Sequence, residues 1–180
     1  MLGCMHRIAV VLVAILLAAC GGDETTDPIS VADPTPPAPS ESEVIAGPSP
    51  SSTVTFDPAK VLIDTESGSV LIDAEKAETP EQHSLGLMHR ASLADDAGMV
   101  FLFFQSRTGG FWMKNTLIPL SIAFFDERGT IVRILDMEPC EADPCPTYDP
   151  GVAYSGALEV NQGSFDRWNV SEGDRITVTH

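Results

Sequence analysis

The stretch from Gly109 to Leu120, GGFWMKNTLIPL, concentrates the side chains best equipped for chemistry. At strand spacing, Phe111, Met113 and Asn115 would face one way, and Trp112, Lys114 and Thr116 the other. A Lys between Trp and Thr on one face is either a snorkelling side chain or a charge kept for a partner. Trp112 beside Lys114 and Asn115 suits a polar ligand with an apolar face, such as a sugar or a carboxylate. The competing reading makes Phe111 and Trp112 packing residues that straddle the sheet, with Asn115 and Thr116 forming a turn. Gly109 and Gly110 permit a tight approach into the strand, and Pro119 stops it continuing as a central one.

Acid–base catalysis needs paired groups within hydrogen-bond reach of a substrate. Lys114 with Glu159 or Asp136 is the available pairing, but the chain has no G-x-S-x-G, H-E-x-x-H or catalytic-cysteine pattern. Of its four histidines, His6 lies in the N-terminal apolar segment and His180 ends the chain, which leaves little for a triad. Binding is therefore expected ahead of catalysis. Met88, His89, Met99, Met113 and Met137 are soft enough together to hold Cu(I). Methionine is also a common core filler, and strand and helix positions account for most of these. No metal and no cofactor are expected, and His83 and His89 read as surface or loop residues.

Cys140 and Cys145 in MEPCEADPCPTYDP are expected to form a disulfide, which suits an oxidising compartment. Their spacing is not C-x-x-C and no His stands nearby, so neither a redox pair nor a tetrahedral metal site fits well.

The oxidising compartment follows from the N-terminus. MLGCMHRIAVVLVAILLAAC places His6 and Arg7 before an apolar run from Ile8 to Ala19, then Cys20. A membrane-spanning helix needs about 20 apolar residues, so the run is short for a span but suited to a signal peptide. Leu17-Ala18-Ala19-Cys20 resembles the bacterial lipobox, which predicts a lipoprotein signal peptide over 1–19 and lipid attachment at Cys20. Residues 20–58 then hold eight of the fourteen prolines among Ser, Thr, Asp and Glu, and read as a disordered tether. Such a tether would hold a domain about 35 Å from the membrane on average. The formal net charge of −16 repels nucleic acid and anionic headgroups, so no nucleic-acid partner is expected and attachment rests on the acyl chains. The expected location is the bacterial cell envelope, with the domain facing outside the cytoplasm.

The elements that must position the candidate residues lie within 59–180. VLIDTE and SVLIDAEKA are strand-like around the turn residue Gly68, and GMVFLFF is apolar enough for a strand covered on both faces. LSIAFFD and TIVRILDM flank the turn signal Glu127-Arg128-Gly129, and YSGALEV and DRITVTH add two strands. Thr79-Pro80-Glu81-Gln82 carries an N-cap, Pro at N1 and Gln at N3, which marks a helix start. A second short helix is expected at Ser164 to Trp168. Many short strands with one or two short helices predict a single mainly β domain, a jelly-roll-like sandwich or open barrel.

GLMHR (Gly86 to Arg90), GMVFLF (Gly98 to Phe103), FWMKNTLIPL (Phe111 to Leu120), the segment around Tyr148, LEVNQG (Leu158 to Gly163) and GDRI (Gly173 to Ile176) occur in that order. Together they closely resemble the bacterial and archaeal family called domain of unknown function 192. The resemblance covers about Val70 to Val178 and implies a single mostly-β domain of jelly-roll-like or barrel-like form. It implies no established activity. The family often has Asp after the Pro-Leu pair where this chain has Ser121, so no role resting on that carboxylate is expected here.

Residue chemistry and motif membership then nominate Arg90, Trp112, Lys114, Asn115, Tyr148 and Glu159 as a binding surface. Arg90 and Glu159 have a plainer alternative as a mutual or surface ion pair worth about 0–1 kcal/mol. The expectation is a membrane-tethered extracytoplasmic module for a small polar or glycan-like ligand. An envelope-assembly role through protein contact is the alternative, and an acid–base enzyme ranks below both.

Overall fold

A computed structural model of the protein describes residues 53–179. The expected signal peptide, Cys20 and the expected tether as far as residue 52 lie outside the described residues. The first strand, β1 (Asp57–Thr65), begins two residues before the expected start of the folded unit at 59. It turns through Glu66 and Ser67 into β2 (Gly68–Ala77), with Val61 opposite Ile72.

Helix α1 (Pro80–Leu85) follows, and its start obeys the local signal. The Thr79 hydroxyl accepts the Gln82 N–H at 3.2 Å, while the Gln82 side chain accepts the Thr79 N–H at 3.0 Å. The chain then runs through 86–96 into β3 (Ala97–Arg107), which pairs with β2 in parallel, Ala77 opposite Phe101. Parallel neighbours need a crossover, and here α1 and the GLMHR segment supply it over one face of the sheet. Local sequence did not predict that parallel pair, and an antiparallel jelly roll would lack it.

The remaining elements are β4 (Phe111–Trp112), β5 (Leu120–Phe125), β6 (Ile131–Met137), β7 (Thr147–Tyr148), β8 (Tyr154–Asn161), α2 (Ser164–Arg167) and β9 (Arg175–Thr179). Seven strands form one sheet in the order β6-β5-β8-β3-β2-β1-β9, and β4 pairs with β7 beside it. The two edge strands approach at one corner, where Thr130 bridges Arg175. Ile131 donates to Asp174 O at 2.8 Å and Ile176 donates to Gly129 O at 2.7 Å. The molecule is thus mainly β with two short helices, an open sheet curled towards a barrel and not closed.

Its inner face holds one core, with Val61, Ile72, Val100, Leu158 and Ile176 from five strands. The other face of β3, β5, β6 and β8 carries a second core, with Met99, Phe101, Ile122, Phe124 and Met137 under Leu87 and Met113. All six residues of β5 are therefore buried, as two-sided packing requires of LSIAFF. Three of the four methionines considered for copper are core side chains: Met99, Met113 and Met137. Among the described residues no helix is long and apolar enough to cross a membrane.

Candidate functional site

The FWMKNT segment is the roof of the second core, and it leaves strand geometry after two residues. Phe111 pairs with Tyr148 and Trp112 with Thr147. This close pairing needs Gly110, where an added Cβ would lie 2.4 Å from the Tyr148 carbonyl oxygen. The chain then turns, with Thr116 N–H donating to Met113 O at 3.0 Å and Asn115 at φ 56°. Asparagine tolerates the left-handed region better than most side chains. Asn115 also ties two loops by its backbone: its N–H donates to Cys140 O and its carbonyl accepts from His89 N–H, each at 2.8 Å.

That turn bears out the competing reading of Asn115 and Thr116 and replaces the strand-like alternation through Thr116. Thr116 is buried instead of sharing an exposed face with Trp112. Lys114 points to the neighbouring loop, where it pairs with Asp143 between the disulfide-bonded Cys140 and Cys145. Tyr148 supports the same region, its hydroxyl accepting the Glu138 N–H at 2.9 Å. The ion pair considered between Arg90 and Glu159 does not form. Arg90 pairs with Glu75 and stands 5.9 Å from the Phe56 ring centre.

Glu159 is only 5% exposed. On β8 it shares a face with Ala157, opposite to Leu158 and Val160, and it sits between Met99 of β3 and Ile122 of β5. It contacts a cavity of about 30 Å³ bounded also by Met88, Phe101, Phe111, Trp112 and Thr116. No hydrogen bond or ion pair reaches its carboxyl among the described residues. Burial alone pushes its pKa up to about 8, so the group is mostly protonated at neutral pH. In that form it donates a hydrogen bond, and beside a cation it becomes a carboxylate.

A wider cleft of about 240 Å³ adjoins this cavity, sharing Phe101, Phe111, Trp112, Ser84 and His83 as walls and adding Phe103 and Arg107. Trp112 is 54% exposed at the rim, while Phe111 packs edge-on against Phe101 with ring centres 5.0 Å apart. His83 is a half-buried helix residue and not the surface or loop residue expected. Its Nε2 lies 3.0 Å from Ala77 O and 3.1 Å from Leu102 O. Carbonyls only accept, so Nε2 carries a proton.

Arg107 stacks on Phe103 at 4.6 Å and forms no ion pair with a carboxylate among the described residues. Beside it, the Tyr154 hydroxyl is buried with the Arg107 guanidinium as its polar neighbour. Burial raises that phenol's pKa, and the charge of Arg107 opposes the rise. No group of three His, Cys, Asp or Glu side chains is set to hold a metal among the described residues.

Of the six nominated residues, Trp112 and Glu159 meet at the cleft. Arg90, Lys114, Asn115 and Tyr148 surround it as pairs, turns and supports. Sequence reasoning missed His83 and Arg107 as wall residues. The helix-cap signal placed His83 on a helix, but its burial depends on the crossover.

These features define a small open-barrel β domain with a buried acid beneath an aromatic roof. The chain belongs to the family of uncharacterised proteins known as domain of unknown function 192 (Uncharacterized ACR), whose model matches residues 62–178. No curated protein matches the chain significantly. Among solved structures, a candidate transcription regulator from Sinorhizobium meliloti 1021 is 34% identical, with a TM-score of 0.65 over 70% of this chain and 97% of that one. A protein of unknown function from Novosphingobium aromaticivorans DSM 12444 is 29% identical, with a TM-score of 0.62 over 72% of this chain and 89% of that one.

Proposed function

We propose that this protein is a ligand-binding module of the bacterial envelope, held to a membrane by lipid on Cys20, whose cleft beneath Phe111 and Trp112 takes a small polar ligand. One observation carries the reading: Glu159 is buried without a partner at the inner end of an aromatic cleft. Burying a carboxyl that way costs stability, and an apolar side chain would pack there at no such cost. Unpaired burial of an ionisable group in a cleft is characteristic of functional sites. The description of the S. meliloti neighbour does not transfer on physical grounds, because 26 acidic against ten basic side chains disfavour nucleic acid. A protein partner is the second reading, favoured by Phe104, whose side chain is fully exposed.

The test is a thermal-shift panel of glycans, amino acids and short peptides against wild type, Trp112→Ala and Lys114→Ala. Ligand shifts should vanish in Trp112→Ala and persist in Lys114→Ala, because Lys114 is engaged with the Asp143 loop. Shifts that survive Trp112→Ala but vanish in Lys114→Ala would move the site out of the cleft.

A further inference from the structure

We propose that the cleft takes a zwitterionic amino compound, its ammonium seated against Glu159 in the inner cavity and its anionic group held outside against Arg107. This rests on the reading of the cleft as a ligand site, and it specifies the ligand's chemistry. Space argues first. A cavity of about 30 Å³ accepts a group the size of one water, such as an ammonium, and excludes a sugar ring.

The walls argue second. Phe101, Phe111 and Trp112 offer aromatic surfaces, which attract cations, and Thr116 offers a hydroxyl. An ammonium needs few partners, and a carboxylate with aromatic rings supplies them.

Charge argues third. An entering ammonium gives the buried acid the counter-charge it lacks. Arg107, which has no carboxylate partner among the described residues, lines the outer cleft and suits a carboxylate or phosphate there. The proton balance is simple. Neutral Glu159 loses its proton to solvent as the ammonium arrives, so binding releases about one proton at neutral pH. Of the elements packed around Glu159, α1 supplies His83 as a titratable group, the flanking strands present Met99 and Ile122, and Arg107 stands in the outer cleft.

The experiment uses the folded protein carrying Trp168→Phe, so that Trp112 is its one remaining tryptophan. Trp168 belongs to the other core, edge-on to Phe165 at 6.2 Å, and lies outside the cleft. Glycine, β-alanine and γ-aminobutyrate are titrated against Trp112 fluorescence between pH 6 and 9, beside their N-acetyl forms, glucose and N-acetylglucosamine. Free amino acids should bind and N-acetyl forms should not. Affinity should rise about tenfold per unit as pH increases towards 8 and level off above it. Calorimetry at pH 7 in two buffers of different ionisation enthalpy should report about one proton released.

Glu159→Gln should abolish binding, and Arg107→Gln should weaken the amino acids by about tenfold while sparing methylammonium. If Glu159→Gln does not fold, the wild-type pH profile and proton release decide alone. Sugar binding that weakens above pH 8, with no amino-acid binding, would overturn the ammonium assignment and leave the cleft a ligand site. Binding of no probe in either class overturns both.

Discussion

Glu159 sets the behaviour at the residue scale, because its protonation is coupled to folding. Its folded pKa of about 8 stands above the ordinary value of 4.5 that the unfolded chain restores. Between those values the native state binds more protons than the unfolded state, so this group's contribution to stability falls as pH rises. The contribution is complete below about pH 4.5 and is lost by the time pH passes 8. Gln at 159 is neutral throughout and removes the dependence. Measured by urea denaturation, Glu159→Gln should gain on wild type by roughly 1.4 kcal/mol per pH unit between about pH 5 and 8. A difference that stays flat over that range would mean the carboxyl is already charged and solvated in the native state. Lys114 gives a contrasting case: its partner Asp143 is mostly exposed, so Lys114→Ala should change stability by at most about 1 kcal/mol.

At the element scale, β4 is a two-residue roof whose neighbours do different work. Phe111 faces Phe101, Phe124 and Tyr154, with centres 5.0, 5.6 and 6.3 Å away, whereas Trp112 stands half in solvent. Phe111→Ala should therefore cost about 3 kcal/mol in chemical denaturation, and Trp112→Ala less than about 1 kcal/mol. Equal losses would place Trp112 in the core and remove it from the ligand's path. This division was only half legible in FWMKNT. Alternation correctly separated Phe111 and Met113 from Trp112, then failed where Asn115 enters the left-handed region and buries Thr116. The apolar runs GMVFLF and LSIAFF, the capping box and the disulfide were readable because each depends on neighbours in sequence. Glu159 was not readable as a buried acid, because an acidic residue alternating with Leu158 and Val160 reads as solvent-facing. It becomes interior only when the parallel crossover and the 111–116 turn roof that face, and both are long-range features.

Charge and attachment meet at the scale of the whole molecule. With 26 acidic against ten basic side chains, the chain is repelled by the anionic surface to which we propose it is held. Membrane retention therefore has to come from acyl chains, and a single chain gives only marginal binding. A diacylated Cys20 resolves the conflict, because hydrocarbon burial does not depend on the protein's charge. The two modes of attachment differ in their response to salt. Ionic attachment weakens as the Debye length shrinks to about 3 Å at 1 M, whereas acyl burial does not. Membranes from expressing cells, washed in 1 M salt, should keep the wild-type protein and have none of Cys20→Ala. Mass spectrometry of the retained protein should find diacylglycerol on an N-terminal Cys20. Release of wild type by salt, or an unmodified N-terminus, would instead require a protein partner at the membrane and would shift attention to exposed Phe104.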